Sequence, residues 1–214
     1  MEQFRRSAIL AKEAGFDGVE LHAANGYLFE QFLLDGTNHR TDSYGGPIEN
    51  RARFLFDTLD AVVSVWGANM VAVRLSASGT YGTMSDSDPH ATFQCVAERL
   101  NNYELAYLHV IEPRVRGIVD IGEQNSAVSS ADVRRWFNGV LMVAGGYTAE
   151  TAERVVANGG ADLVAFGRLF ISNPDLPERL RNGVPLATYD RSTFYCGDAR
   201  GYTDYPSHGE LKAA

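Results

Sequence analysis

The 214 residues are 45% hydrophobic and 21% charged, a composition that suits one globular domain with a real core. A formal charge of -8 argues against a general nucleic-acid or anionic-membrane surface, since both need basic patches. No run approaches the roughly 18 apolar residues of a membrane span, and the charged, helix-like stretch after Met1 does not read as a secretory leader.

Taken in order, Phe4, Ala8 and Ala11 share a helical face, and Gly15 ends that helix. Phe16 to Leu21 reads as a buried strand. Gly46-Pro47 opens a second helix, with proline at its first position, whose apolar stripe is Leu55, Leu59, Val62, Val63 and Trp66 and whose stop is Gly67. Met70 to Leu75 is the second strand. Asp88-Pro89 caps a helix that turns Phe93, Val96, Ala97 and Leu100 inward. Leu105 to Ile111 is the third strand. Ser129-x-x-Asp132 starts a helix in capping-box fashion, and Asn138-Gly139 closes it. Val140 to Ala144 is the fourth strand, Thr148 to Val156 a helix ended by Gly159-Gly160, and Leu163 to Phe166 the fifth strand. A helix near Pro174 to Arg181 stops at Asn182-Gly183. Cys95 and Cys196 stand apart without zinc-ligand spacing, so no metal site and no disulfide framework are expected, and a cytoplasmic setting is the default.

Strands apolar on both faces, alternating with helices, imply an α/β fold with a parallel sheet covered by helices. No G-x-G-x-x-G follows the first strand, which weighs against a dinucleotide-binding doubly wound sheet. Polar residues and glycines fall just after the C-terminal ends of several strands, as in a (β/α)8 barrel. The reading is therefore a TIM barrel, although five strands are counted and closure needs eight.

The first polar constellation is His22, Asn25 and Tyr27. His-x-x-Asn at a strand end can aim two hydrogen-bond donors at one carbonyl oxygen and stabilise an enolate. Tyr27 adds a weak acid able to protonate a carbanion. A capped turn with Tyr27 packed in the core fits the spacing equally well. Ala144-Gly145-Gly146-Tyr147 follows a strand and opens a helix, and Gly167-Arg168 follows the next strand. Backbone N–H groups and a guanidinium there suit a phosphate, though a glycine turn with a surface arginine is the plainer alternative. Arg74 sits inside an apolar strand and requires an anionic or carbonyl partner, either an acid across the barrel or a ligand.

The stretch from His22 to Phe54 closely resembles the old yellow enzyme family of flavin-dependent ene-reductases. The family pattern H-x-[AG]-[NH]-G-Y-L is matched by His22, Asn25, Gly26, Tyr27 and Leu28. It continues through Gln31 to Leu33, Asn38, Arg40, Asp42, Tyr44 to Gly46, and Glu49 to Phe54, with Pro47 where serine is commoner. The segments VRLSASGTYGTMSDSDP and FGRLFISNPDLPERLRNG are similar to the family as well. The resemblance implies an FMN-dependent NAD(P)H oxidoreductase that reduces the C=C bond of α,β-unsaturated carbonyl compounds. FMN would be bound tightly and non-covalently, and NADPH or NADH would be the reductant. His22 and Asn25 would bind the substrate carbonyl oxygen, and Tyr27 would protonate the α-carbon after flavin N5 delivers hydride to the β-carbon. Arg74 would lie beside the flavin ring, Gly145, Gly146, Gly167 and Arg168 would contact its phosphate, Phe194 would pack near it, and Tyr195 would border the substrate pocket.

The resemblance covers only the latter part of the family's barrel, strands four to eight. It implies a partial barrel domain over 1–191 and a tail over 192–214 that closes the barrel mouth. Strands one to three are expected to precede Met1, and their absence would leave two open sheet edges. Either a homo-oligomer or a complementing N-terminal half is then the expected partner besides the enone. A catalytically inactive remnant of such an enzyme, or one active only when completed by a partner chain, is the alternative reading.

Overall fold

The computed structural model describes residues 1–116, 119–122, 127–195 and 197–209. Cys196 lies outside the described residues, and Cys95 is a free thiol. In chain order the elements are α1 (Glu2–Glu13), β1 (Val19–Ala23), α2 (Leu28–Leu33), α3 (Ile48–Trp66), β2 (Val71–Leu75) and α4 (Pro89–Leu100). There follow β3 (Tyr107–Ile111), β4 (Val115–Arg116), β5 (Val119–Asp120), α5 (Ser130–Trp136), β6 (Leu141–Ala144) and α6 (Ala149–Ala157). The remainder is β7 (Leu163–Ala165), α7 (Arg168–Ser172) and α8 (Leu176–Asn182).

Five strands form one sheet in the order β1-β2-β3-β6-β7. The order follows the chain, with helices between neighbours, and the recorded pairings β1–β2, β2–β3 and β3–β6 are parallel. This is successive βα units laid side by side, as in part of a barrel wall. β4 and β5 make a separate antiparallel pair. The register matters for function: His22 stands opposite Arg74, and Arg74 opposite His109. Because side chains alternate along a strand, these three share one face, with Glu20 two residues before His22 on the same side.

The expected first strand begins three residues later than its apolar run suggests. The N–H of Phe16 donates to Ala11 O at 3.2 Å and Gly15 takes φ +87°, so Phe16 belongs to the end of α1 and is 66% exposed. In compensation β1 runs through Ala23, which places His22 within the strand. Smaller shifts recur: β2 is preceded by a 3-10 turn at Ala68–Met70, β3 starts at Tyr107, and α5 stops at Trp136. Short α2 and α7 and the β4–β5 pair carry too little periodicity to be read from sequence.

Most helix stops and caps follow the expected chemistry, although Pro47, expected at the first position of α3, is its N-cap. Asp88 accepts the N–H of Ala91 with Pro89 at the first turn of α4. Ser129 and Asp132 form a reciprocal capping box on α5. The N–H of Gly67 donates to Val63 O at 2.8 Å, and Gly183 ends α8 in the left-handed conformation. Phe93, Val96, Ala97 and Leu100 on α4 are buried as expected, and α3 buries Leu55, Phe56, Leu59 and Val62. Val63 and Trp66 are half-buried, and the Trp66 indole N–H donates to Ala8 O at 2.9 Å, tying α3 to α1.

The chain forms two compact units, Met1–Val164 and Ala165–Ala214. The second has its own polar core. Arg179, 2% exposed, donates to Asp175 at 2.6 Å, Pro185 O at 3.3 Å and Pro206 O at 3.0 Å. Fully buried Asn173 donates to Leu169 O at 2.8 Å and accepts the N–H of Ala187 at 2.7 Å. The family-like segment Asn173 to Gly183 thus holds the backbone of this unit together.

Candidate active site

The end of β1 carries the first constellation. Leu21 and Ala23 point into the core, while His22 is half-buried on the opposite face, and its Nδ1 is buried with no hydrogen-bond partner. Burial first, and the positive charge of Arg74 second, hold the His22 imidazole below its ordinary pKa. Both effects favour the neutral ring. Tyr27 stands at the N-cap of α2, and its ring centroid is 4.8 Å from that of His22 at 52°. It is 59% exposed, so it is not the core-packing tyrosine of the plainer reading.

Between them the chain turns sharply. Asn25 takes φ +57° and Gly26 φ +79°, an arrangement that asparagine and glycine tolerate better than other residues. The Asn25 N–H donates to Ser76 Oγ at 2.8 Å, the Gly26 N–H donates to Glu30, and the Gln31 amide donates to Gly26 O at 2.6 Å.

Arg74 lies next to His22 across the sheet. Its Nε is buried and has no hydrogen-bond partner. Glu20, the acid whose charge Arg74 feels, is engaged by His109 at 3.0 Å. Burial works to raise the Glu20 carboxyl, but the hydrogen bond and charge of His109, together with Tyr107 and Arg74, outweigh it and hold the group low. The Nε2 of His109, itself 7% exposed, is a third buried nitrogen without a partner on this face. Buried polar nitrogens normally find partners. Unpartnered nitrogens of His22 and Arg74 in register are what a bound group with carbonyl oxygens and ring nitrogens would satisfy. The donor set fits a flavin.

Gly145 and Gly146 follow β6 with φ +112° and +67°. A Cβ on Gly145 would meet Val115 Cγ2 at 2.6 Å, so a side chain there would clash unless Val115 moved. Gly145 O accepts from Arg114 Nε at 2.9 Å, and the Arg114 guanidinium stacks on Tyr147 at 4.4 Å. Tyr147 donates to buried Glu112, and burial, then this bond, push its phenol up to about 12. Gly145→Ala is expected to lose about 1–3 kcal/mol, from left-handed strain and the Val115 clash, in urea denaturation; unchanged stability would mean that this turn is not held as described.

The remaining predicted residues lie in the second unit. Gly167 is the N-cap of α7 and Arg168 its first residue, half-buried. Phe194 packs on Tyr189 at 5.4 Å, and Tyr195 is 85% exposed. The structure thus brings His22, Asn25, Tyr27 and Arg74 together within the first unit, where Gly145 and Gly146 also lie. Sequence reading missed Glu20, Glu30, Ser76 and His109. Their only signal was a charged or hydroxylated residue inside or just beyond an apolar run. Among the described residues no group of histidine, cysteine and acidic side chains could hold a metal ion.

A parallel α/β wall with unpartnered buried nitrogens at its strand ends is the layout of a barrel-type ligand site. The chain belongs to the NADH:flavin oxidoreductase / NADH oxidase family, an FMN family whose sequence pattern matches residues 1–187, and it is a partial chain of the old yellow enzyme type. It is 50% identical over 213 residues to 12-oxophytodienoate reductase 1 of Oryza sativa subsp. japonica, covering 99% of this chain and 56% of that protein. The solved structure of morphinone reductase matches with a TM-score of 0.89 and 47% identity, over 96% of this chain and 54% of that one. Morphinone reductase in complex with tetrahydroNAD matches at 0.87 and 46%, with the same coverage. The chain spans about half the length of the relatives it matches.

Proposed function

We propose that this chain carries the carbonyl-binding and proton-donating part of an FMN-dependent NAD(P)H oxidoreductase that reduces the C=C bond of α,β-unsaturated carbonyl compounds. The observation that carries the proposal is the pair of unpartnered buried nitrogens, His22 Nδ1 and Arg74 Nε, in register beside Asn25 and exposed Tyr27. FMN, when bound, supplies the hydride for the β-carbon after taking it from NADPH or NADH. His22 and Asn25 bind the substrate carbonyl oxygen and stabilise the charge that develops there. Burial and the charge of Arg74 favour the neutral form of His22 for this role. Tyr27 gives its phenolic proton to the α-carbon, which completes the addition of H⁻ and H⁺ across the double bond. The fixed charge of Arg74 favours a reduced, anionic ring. Gly145 and Gly146 present backbone N–H groups to the phosphate. On the family resemblance, Gly167 and Arg168 are assigned to the phosphate as well, Phe194 to the ring and Tyr195 to the substrate.

The test is direct. Purified chain incubated with FMN is expected to retain a flavin spectrum after desalting, to bleach with NADPH or NADH, and to recover colour on addition of 2-cyclohexenone. Comparing the two bleaching rates decides the reductant. Failure to retain FMN would rule out activity for this polypeptide alone.

A second reading has its own support: the chain spans about half of its relatives, and among the described residues the outer edge of β1 has no paired strand. On that reading the chain works only when a second copy or a complementing N-terminal half covers the edge. Size-exclusion chromatography with flavin absorbance separates the two, since a colourless oligomer or a yellow two-chain complex would each exclude an active lone chain. No helix among the described residues is long and apolar enough to cross a membrane, and a cytoplasmic setting belongs to the same proposal.

A further inference from the structure

Glu30 has no part in the chemistry above, yet it is a fully buried carboxylate on α2. Burying a charge is costly unless its acceptor sites are filled. One oxygen accepts the Gly26 N–H and the other accepts the Ser76 hydroxyl. Ser76 Oγ in turn accepts the Asn25 N–H at 2.8 Å. The two residues with positive φ are therefore each tied by their backbone N–H, one directly and one through Ser76, to a single carboxylate.

We infer that Glu30 is a positioning residue: acting with Ser76, its ionised carboxylate sets the Asn25–Gly26 turn and so places the Asn25 side chain beside His22. The inference rests on the proposed function only for the use made of Asn25; the turn and its hydrogen bonds stand apart from it. An ionised carboxylate accepts from both donors at once, whereas the protonated acid keeps one good acceptor and gains a donor. Protonation therefore loosens the tie.

Burial pushes the Glu30 carboxyl up to about 7, against the pull of Ser76 and Gly26. The charged and titratable groups on the neighbouring elements are Glu20 and His22 on β1, Arg74 on β2, and Glu49, Arg51, Arg53, Asp57 and Asp60 on α3. Asp86 follows β2 and is paired with Arg51 at 3.3 Å. None of these enters the Glu30 shift, which is set by burial and its two hydrogen bonds.

Amide ¹H–¹⁵N spectra of the full chain, recorded from pH 5 to 9 without flavin, test this. The Gly26 and Asn25 amides are expected to move together with a midpoint near 7. In Glu30→Gln, a mimic of the protonated acid, both should sit near the wild-type low-pH positions at every pH. In Ser76→Ala, Gly26 should still titrate while Asn25 no longer follows. A Gly26 amide that sits in Glu30→Gln where it sits in the wild type at pH 9, or that titrates unchanged in Glu30→Gln, overturns the inference. The measurement needs neither FMN nor turnover, so a chain that fails to bind flavin leaves this result standing on its own. Where FMN is retained, Glu30→Gln should also flatten the part of the pH profile of enone reduction that falls near neutrality. A merely structural glutamate would lower the rate equally at every pH.

Discussion

Replacing Arg51 by alanine is expected to cost about 3–5 kcal/mol of stability, the usual penalty for removing one partner of a buried ion pair. Arg51 is 7% exposed and donates to four acceptors on different segments. They are Leu33 O at 2.7 Å, Gly46 O at 2.8 Å, Thr92 Oγ1 at 3.0 Å and Asp86 Oδ2 at 3.3 Å. One guanidinium thus joins the end of α2, the turn before α3, the segment after β2 and the start of α4. Without it, the Asp86 carboxylate, 2% exposed, loses its counter-charge and keeps only hydrogen bonds from the Asp35 and Asp88 N–H groups and the Thr92 hydroxyl. Those bonds soften the loss without replacing the charge. Arg51→Lys restores the charge but cannot span four acceptors with one ammonium, so it should fall between alanine and wild type. Urea denaturation of the three proteins reads this directly. An alanine variant within about 0.5 kcal/mol of wild type, the range of ordinary surface changes, would show that the pair is not buried in solution.

Tyr27→Phe is expected to slow reoxidation of the reduced flavin by 2-cyclohexenone by about 10²- to 10⁴-fold, the range over which a positioned general acid acts. Flavin reduction by NADPH should change little, because that step needs no proton from Tyr27. The ring is 59% exposed and its backbone N–H donates to Ala24 O at 3.2 Å, so losing the hydroxyl leaves the fold nearly untouched. Stopped-flow absorbance separates the two half-reactions. Equal slowing of both would assign Tyr27 to flavin or nicotinamide binding, and no slowing would remove it from the proton transfer.

Glu30 and His22 push stability in opposite directions with pH. The Glu30 carboxyl is raised in the folded chain, so ionising it opposes folding and stability falls as pH rises toward and through about 7. The His22 imidazole is lowered, so stability falls as pH drops below the ordinary histidine range, where the unfolded chain takes up the proton first. Bulk melting curves mix the two effects. The difference between wild type and Glu30→Gln cancels the histidine contribution and isolates the carboxylate.

The long run from His22 to Phe54 marks the family, but the structure divides its labour unevenly. His22, Asn25 and Tyr27 cluster at the candidate site. Asn38 instead donates to Phe32 O and to Tyr44 O, the latter at 2.7 Å; Arg53 donates to Ser43 O at 2.7 Å; and Tyr44 donates to Asp57 at 3.1 Å. Asn38 and Arg53 thus satisfy backbone carbonyls of a long loop, and Tyr44 fastens that loop to α3. A sequence pattern records both demands in the same way and cannot tell a ligand contact from a loop clasp.

The sequence by itself determined the βα alternation, most helix caps and stops and the family, and it singled out His22, Asn25, Tyr27, Arg74, Gly145 and Gly146 as candidates. These depend on local periodicity, capping chemistry and motif spacing, all of which act over a few residues. Only the tertiary structure decided that His22 lies within β1 and faces Arg74, since strand register is set by pairing across the sheet. It likewise decided that Glu20 answers His109 across the sheet, and that Glu30 reaches Ser76 46 positions away to hold the turn of Asn25. Such contacts join residues far apart in the chain, and only the folded backbone brings their charges and hydrogen-bond groups within reach of one another.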